Sequence, residues 1–126
     1  MAELTMELSQ SIDEPARARA FVAEWLETVP FETRADAVLL VSELVSNVVR
    51  HGALPARMVL TQNGGRLRVV VEDSNPAMPG PPGPPDAAAG GGRGLIIVSS
   101  IAAAWGISTA PDRPGKGVWF DLALVS

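Results

Sequence analysis

The sequence predicts a two-layer α/β sandwich of the α+β kind: a mixed, mostly antiparallel sheet with helices on one face. Three observations lead there. Segments near both ends and in the middle of the chain alternate apolar and polar residues, the period of a half-buried strand. Between them, two longer segments repeat their apolar residues at three and four positions, the period of a helix. Asn63-Gly64-Gly65 joins two alternating segments as a hairpin loop, which makes those strands antiparallel neighbours.

Taken in order, Leu4, Met6 and Leu8 alternate with Thr5, Glu7 and Ser9 and form a first strand. Ser11 or Asp13 is placed to cap a helix whose first turn holds Pro15. Its stripe is Ala18, Phe21, Val22, Trp25, Leu26 and Val29, and it ends near Pro30. A second helix starts at Thr33 or Asp36, runs to about His51, and stops at Gly52. Leu40, Val41, Leu44, Val45, Val48 and Val49 form its apolar arc. Strands follow at Arg57 to Gln62 and Arg66 to Glu72. Residues 75 to 94 are rich in Pro and Gly and cannot pack as a helix or central strand; they read as a disordered insertion, a mobile lid over a site, or both. Leu95 to Ala103 is a short helix, Trp105, Ile107 and Thr109 a strand, and Pro111 to Lys116 a turn. Val118, Phe120, Leu122 and Leu124 mark the last strand.

The chain has 126 residues, 47% of them hydrophobic, which suits one folded domain over 1–126. Its formal net charge of −4 argues against general affinity for nucleic acid or an anionic membrane. With no cysteine and one histidine, thiolate metal sites and multi-histidine zinc sites are excluded. No leader pattern and no apolar run of membrane-spanning length is present, so a cytoplasmic protein is expected.

Two constellations carry chemistry. Asp73 continues the parity of Leu67, Val69 and Val71, so its strand ends by aiming a carboxylate at the core side. A buried carboxylate needs hydrogen-bond donors, and a nucleotide base is one source. On the second helix Glu43, Asn47, Arg50 and His51 gather within about 100° of one another. Such a face is commonly the solvated side of an amphipathic helix. Asn, however, is a poor helix former, and its place in mid-helix invites a functional role. Gly90 to Gly94 precede an apolar helix, an arrangement that serves either as a plain loop or as a phosphate cradle.

In this order the motifs resemble those of the Bergerat-fold ATP-binding proteins, which include DNA gyrase, sensor histidine kinases and anti-sigma factor serine kinases. Glu43-Leu44-Val45-Ser46-Asn47-Val48-Val49-Arg50-His51-Gly52 is similar to their N-box. Asp73-Ser74-Asn75-Pro76-Ala77-Met78-Pro79 is similar to the first glycine box, and Gly92-Arg93-Gly94-Leu95 to the second. Lys116-Gly117-Val118-Trp119-Phe120 opens the last strand. The resemblance covers nearly the whole chain and is greatest to small actinobacterial ATP-binding regulators.

The resemblance implies ATP and Mg²⁺ as cofactors. Asn47 would be the protein's metal ligand and Glu43 the general base. Asp73 would accept from the adenine amino group, and Met78 would pack on the base. Arg50, His51, Asn75, Gly92, Arg93, Gly94 and Leu95 would complete the nucleotide site, with a lid over about 75–93. It further implies a serine/threonine kinase that regulates transcription, with a sigma factor or an anti-anti-sigma protein as partner, and a possible homodimer. Three departures keep a non-catalytic ATP-binding regulator and a protein-interaction module open. Asn75 and Ala77 stand where glycines are usual, a hydroxyl residue is missing at Gly117 or Val118, and no basic residue stands near Gly90.

Overall fold

Among the described residues, five strands and three helices carry the fold. The computed structural model describes residues 2–77, 91–109 and 114–124, with backbone only at 91–94. The elements are β1 (Ala2–Leu8), α1 (Glu14–Trp25), α2 (Phe31–His51), β2 (Ala56–Asn63), β3 (Arg66–Asp73), α3 (Gly91–Ile101), β4 (Ala104–Ser108) and β5 (Lys116–Ala123). The strands form one sheet in the order β1-β2-β3-β5-β4, and each neighbouring pair is antiparallel. The expected sheet was mixed; among the described residues no parallel pair occurs. The reason is connectivity. Hairpins join β2 to β3 and β4 to β5, and β5 returns beside β3 in the opposite sense.

Alternation decides which side of the sheet is core. Met6 and Leu8, Met58 and Leu60, Leu67, Val69 and Val71, and Phe120 and Leu122 all face the helices and are buried. Ala18 and Val22 of α1, Leu26 just beyond it, Leu40, Val41, Leu44, Val45 and Val48 of α2, and Val98 of α3 close the same cluster. Gly64 and Gly65 have φ of 62° and 79°, so the β2–β3 loop is a two-residue turn with both central residues left-handed. That turn fixes the register, with Asn63 opposite Arg66 and Met58 opposite Val71.

Several boundaries differ from expectation. Neither Ser11 nor Asp13 caps α1 through its own side chain in the expected way. Instead Ser11 Oγ accepts from Asp13 N, and the buried Glu14 carboxylate accepts from Ser9 N and Arg17. That guanidinium holds the Glu14 carboxyl below its ordinary range, against the opposing effect of burial. α1 ends at Trp25 rather than near Pro30, and α2 begins at Phe31, ahead of Thr33. Pro30 permits this early start: its carbonyl accepts from Arg34 N at 3.0 Å, the first helical bond. α3 starts at Gly91, so the second glycine motif forms its first turn instead of preceding it.

The sheet's other face carries a charged cluster that alternation alone does not announce. Asp121 is only 1% exposed, although it points away from the helices. Arg68 grips it at 2.7 and 2.9 Å, Arg66 adds a bond at 3.2 Å, and the Arg68 guanidinium lies 4.3 Å from the Trp119 ring centre. Hydrogen bonding to Arg68 lowers the Asp121 carboxyl below its ordinary range, outweighing burial. Among the described residues no helix is long and apolar enough to cross a membrane.

Candidate functional site

β3 ends against the C-terminal end of α2, where the His51 carbonyl and Gly52 adjoin the Asp73–Asn75 segment. Three hydrogen bonds make the seam. Ser74 N donates to Ala53 O at 2.9 Å, Asn75 Nδ2 to His51 O at 2.7 Å, and Ser74 Oγ to Pro55 O at 2.8 Å. Gln10 reaches in from the β1–α1 connection and donates to Val48 O and Gly52 O, both at 2.9 Å. Gly52 caps α2 in an extended conformation, so its role is room rather than turn geometry. A Cβ there would lie 2.8 Å from Val48 O and 3.2 Å from Asp73 Cγ.

The Asp73 carboxylate is thus packed on the helix end, with its side chain 8% exposed. Oδ1 accepts from Asn75 N at 2.8 Å. The Lys116 ammonium sits 3.3 Å from Oδ2 and 3.5 Å from Oδ1 and donates to Asn75 O at 3.0 Å. Lys116 and Asp73 are direct cross-strand partners on the helix-side face. From the sequence Lys116 is read only as the end of a turn and the opening of the last strand. The signal was its parity: Lys116 shares a face with Val118, Phe120 and Leu122, so it is a cation on a core stripe.

The first glycine motif follows an altered path. Among the described residues only glycines have positive φ, so Asn75 and Ala77 do not imitate the glycines they replace. Two successive side-chain turns do the work: Asp73 Oδ1 accepts from Asn75 N, and Asn75 Oδ1 from Ala77 N at 2.9 Å. Gly115 packs beside this segment with φ of 95°, where a Cβ would lie 2.0 Å from Asp73 O. The expected lid over 75–93 falls mostly outside the described residues. Residues 75–77 are bonded to the fold and 91–93 belong to α3, while 78–90, Met78 included, lie outside the described residues.

On α2, Glu43 and Asn47 are half-buried, and Arg50 and His51 are exposed. Arg50 donates to Asn47 Oδ1 at 3.4 Å. Glu43 has no hydrogen-bond partner among the described residues. Asn47 precedes Gly52 by five residues, about 7.5 Å along the helix axis. The His51 carbonyl, rather than its ring, joins the seam. The backbone of Gly92, Arg93 and Gly94 lies in the first turn of α3, where free N–H groups suit an anion, and Leu95 is buried in the packing below.

The donor set fits a magnesium nucleotide. Asp73 offers an acceptor for a base, Asn47 an oxygen for a hard cation, and α3 its N-terminal amides. Among the described residues no cluster of three His, Cys, Asp or Glu could hold a metal by itself. Mg²⁺ tolerates that, since it keeps waters and phosphate oxygens as most of its ligands. A cleft of about 440 Å³ runs along the strand ends, lined by Asp73 and Lys116 together with Arg57, Glu72, Ser108, Pro114 and Gly117. Among the described residues no α2 residue lines it.

Comparison with known proteins follows the same outline. The family model of the histidine kinase-like ATPase domain matches residues 8–121. Curated proteins give no match. A crystal structure of the RsbU and RsbW domains of Rv1364c from Mycobacterium tuberculosis is similar, with a TM-score of 0.70 and 23% sequence identity. The similarity covers 98% of this chain and 32% of that one, so this chain spans about a third of its length. At that identity the likeness is one of fold.

Proposed function

The chain belongs to the histidine kinase-like ATPase domain family, and on that footing we propose that it is an ATP-binding regulator, a serine/threonine kinase of the anti-sigma type. The partner on this reading is an anti-anti-sigma protein, with a sigma factor as the regulated target. The observation that carries the nucleotide part is the placement of Asp73: a carboxylate 8% exposed, at a strand end, pressed against the helix that bears Asn47. Support for the kinase part comes from Glu43, a half-buried carboxylate one turn before Asn47 with no described partner.

Each side chain has a definite task. Asp73 accepts the base amino group. Asn47 supplies an amide oxygen to Mg²⁺, and Arg50 steadies that amide. The first turn of α3, with Gly92, Arg93 and Gly94, offers backbone donors to phosphate. Glu43 takes the proton of an attacking hydroxyl. His51 and Asn75 hold the wall between α2 and β3. Bound MgATP supplies a phosphoryl group activated for transfer. The chain acts as one domain in the cytoplasm, and pairing with a second copy fits the same reading.

A second reading keeps the nucleotide and drops the transfer. It is favoured by the altered first glycine motif, whose side-chain turns replace the usual glycines. One experiment separates the two. Calorimetric titration with MgATP should show binding that Asp73→Asn weakens at least tenfold, because an acceptor becomes partly a donor. Glu43→Ala should bind ATP like the wild type. Labelled phosphate should pass to a captured partner from the wild type and not from Glu43→Ala. Binding without transfer to any partner selects the second reading, and undiminished binding by Asp73→Asn removes the base assignment.

A further inference from the structure

We propose that Lys116 is a second base-reading side chain beside Asp73, and that it opens the site to 6-oxopurine nucleotides, GTP and ITP, as well as ATP. The inference rests on the nucleotide reading above and names the substrate class of that same site. A carboxylate can only accept hydrogen bonds, and an ammonium can only donate them. Adenine presents an amino donor beside the N1 acceptor. Guanine and hypoxanthine present the O6 acceptor beside the N1–H donor. A lone carboxylate serves adenine's amino group and repels O6. A carboxylate and an ammonium side by side serve both edges. The ammonium meets N1 or O6, and the carboxylate meets the amino group or N1–H.

The structure supplies that pair, held by one short and two longer contacts of the ammonium. Asn75 O fixes the ammonium at 3.0 Å. Its contacts to Asp73, at 3.3 and 3.5 Å, are longer than the roughly 2.7–2.9 Å of a strong charge-assisted bond. Oδ1 is occupied by Asn75 N at 2.8 Å, so Oδ2 is the oxygen open to a further donor. The ammonium's three protons have three acceptors, Asp73 Oδ1, Asp73 Oδ2 and Asn75 O, so a base edge takes the place of one of the two longer Asp73 contacts. The two side chains are 10% and 8% exposed, nearly but not wholly closed to solvent. In so dry a place, an unmatched polar edge on either side is heavily penalised.

Calorimetric titration of the full chain with the magnesium salts of ATP, GTP and ITP tests this. The wild type should bind all three with Kd values within about tenfold of one another. Lys116→Met should weaken GTP and ITP by about tenfold to a hundredfold, the loss of a charged hydrogen bond, and ATP by clearly less. Lys116→Arg should restore the 6-oxopurines. Wild type that takes ATP and rejects GTP and ITP overturns the inference and leaves the nucleotide reading standing. So does a folded Lys116→Met whose three affinities move together. Wild type that binds none of the three ends the nucleotide reading and this inference with it. The wild-type comparison decides even where Lys116→Met does not fold.

Discussion

Replacing Gly52 by alanine tests whether the seam between α2 and β3 is as close as it is drawn. The backbone there is extended with φ of −82°, so alanine meets no conformational penalty. The penalty is crowding. The new Cβ would lie 2.8 Å from Val48 O, 2.9 Å from Val48 Cα and 3.2 Å from Asp73 Cγ. The first two are backbone atoms that cannot swing aside. Relief means drawing Gly52 off the helix, which lengthens its bond to Val48 O, or pushing Asp73 away. Overpacking of this kind costs about 1–3 kcal/mol. Losing a glycine's freedom in the unfolded chain returns about 0.4–1 kcal/mol. The net loss is about 1–2 kcal/mol, which at about 3–6 °C per kcal/mol lowers Tm by about 3–12 °C. Thermal denaturation followed by circular dichroism measures it, and calorimetry of the same variant should show weaker MgATP binding because Asp73 has moved. An unchanged or raised Tm would refute the packing argument, and a lowered Tm with intact ATP affinity would detach Asp73 from the base.

Two further outcomes bear on the scaffold. Leu44→Ala removes a side chain 2% exposed at the centre of α2 and should cost about 2–5 kcal/mol, read as a shift of the urea midpoint. The Asp121 carboxyl is held below its ordinary 3.8 in the fold, chiefly by hydrogen bonding to Arg68. Its stabilising effect is therefore complete above 3.8 and is lost as pH falls through the lower folded value. Arg68→Ala should be destabilised near neutral pH and should approach the wild type as pH drops below 3.8. A stability difference that stays constant across that range would show that Arg68 acts by packing alone.

What could be read from the sequence was what short-range periodicity encodes. The α2 arc from Leu40 to Val48, the two-glycine hairpin and the core-side parity of Asp73 all depend on neighbours within a few residues, and the structure places each as expected. Partners across the chain were not encoded that way. The pairing of Lys116 with Asp73 follows from β5 returning beside β3, and the burial of Asp121 from two arginines on another strand. Helix ends were misplaced where tertiary contact outweighs propensity. Glycines rank poorly in helices, yet Gly91, Gly92 and Gly94 fall within α3, whose apolar residues Leu95 and Val98 are anchored in the packing.

The sheet order has a consequence for how the molecule is made. β3 lies mid-sheet, but one of its two neighbours, β5, is the last strand to be synthesised. Until residues 116–123 emerge, the nascent chain carries an unzipped central edge with Leu67, Val69 and Val71 beside it. Pairing of such sequence-distant strands is slow, and an open apolar edge invites association with other chains. Asp73 meets Lys116 only when that strand docks, so their pairing forms in a single late step and not by gradual maturation of the earlier half.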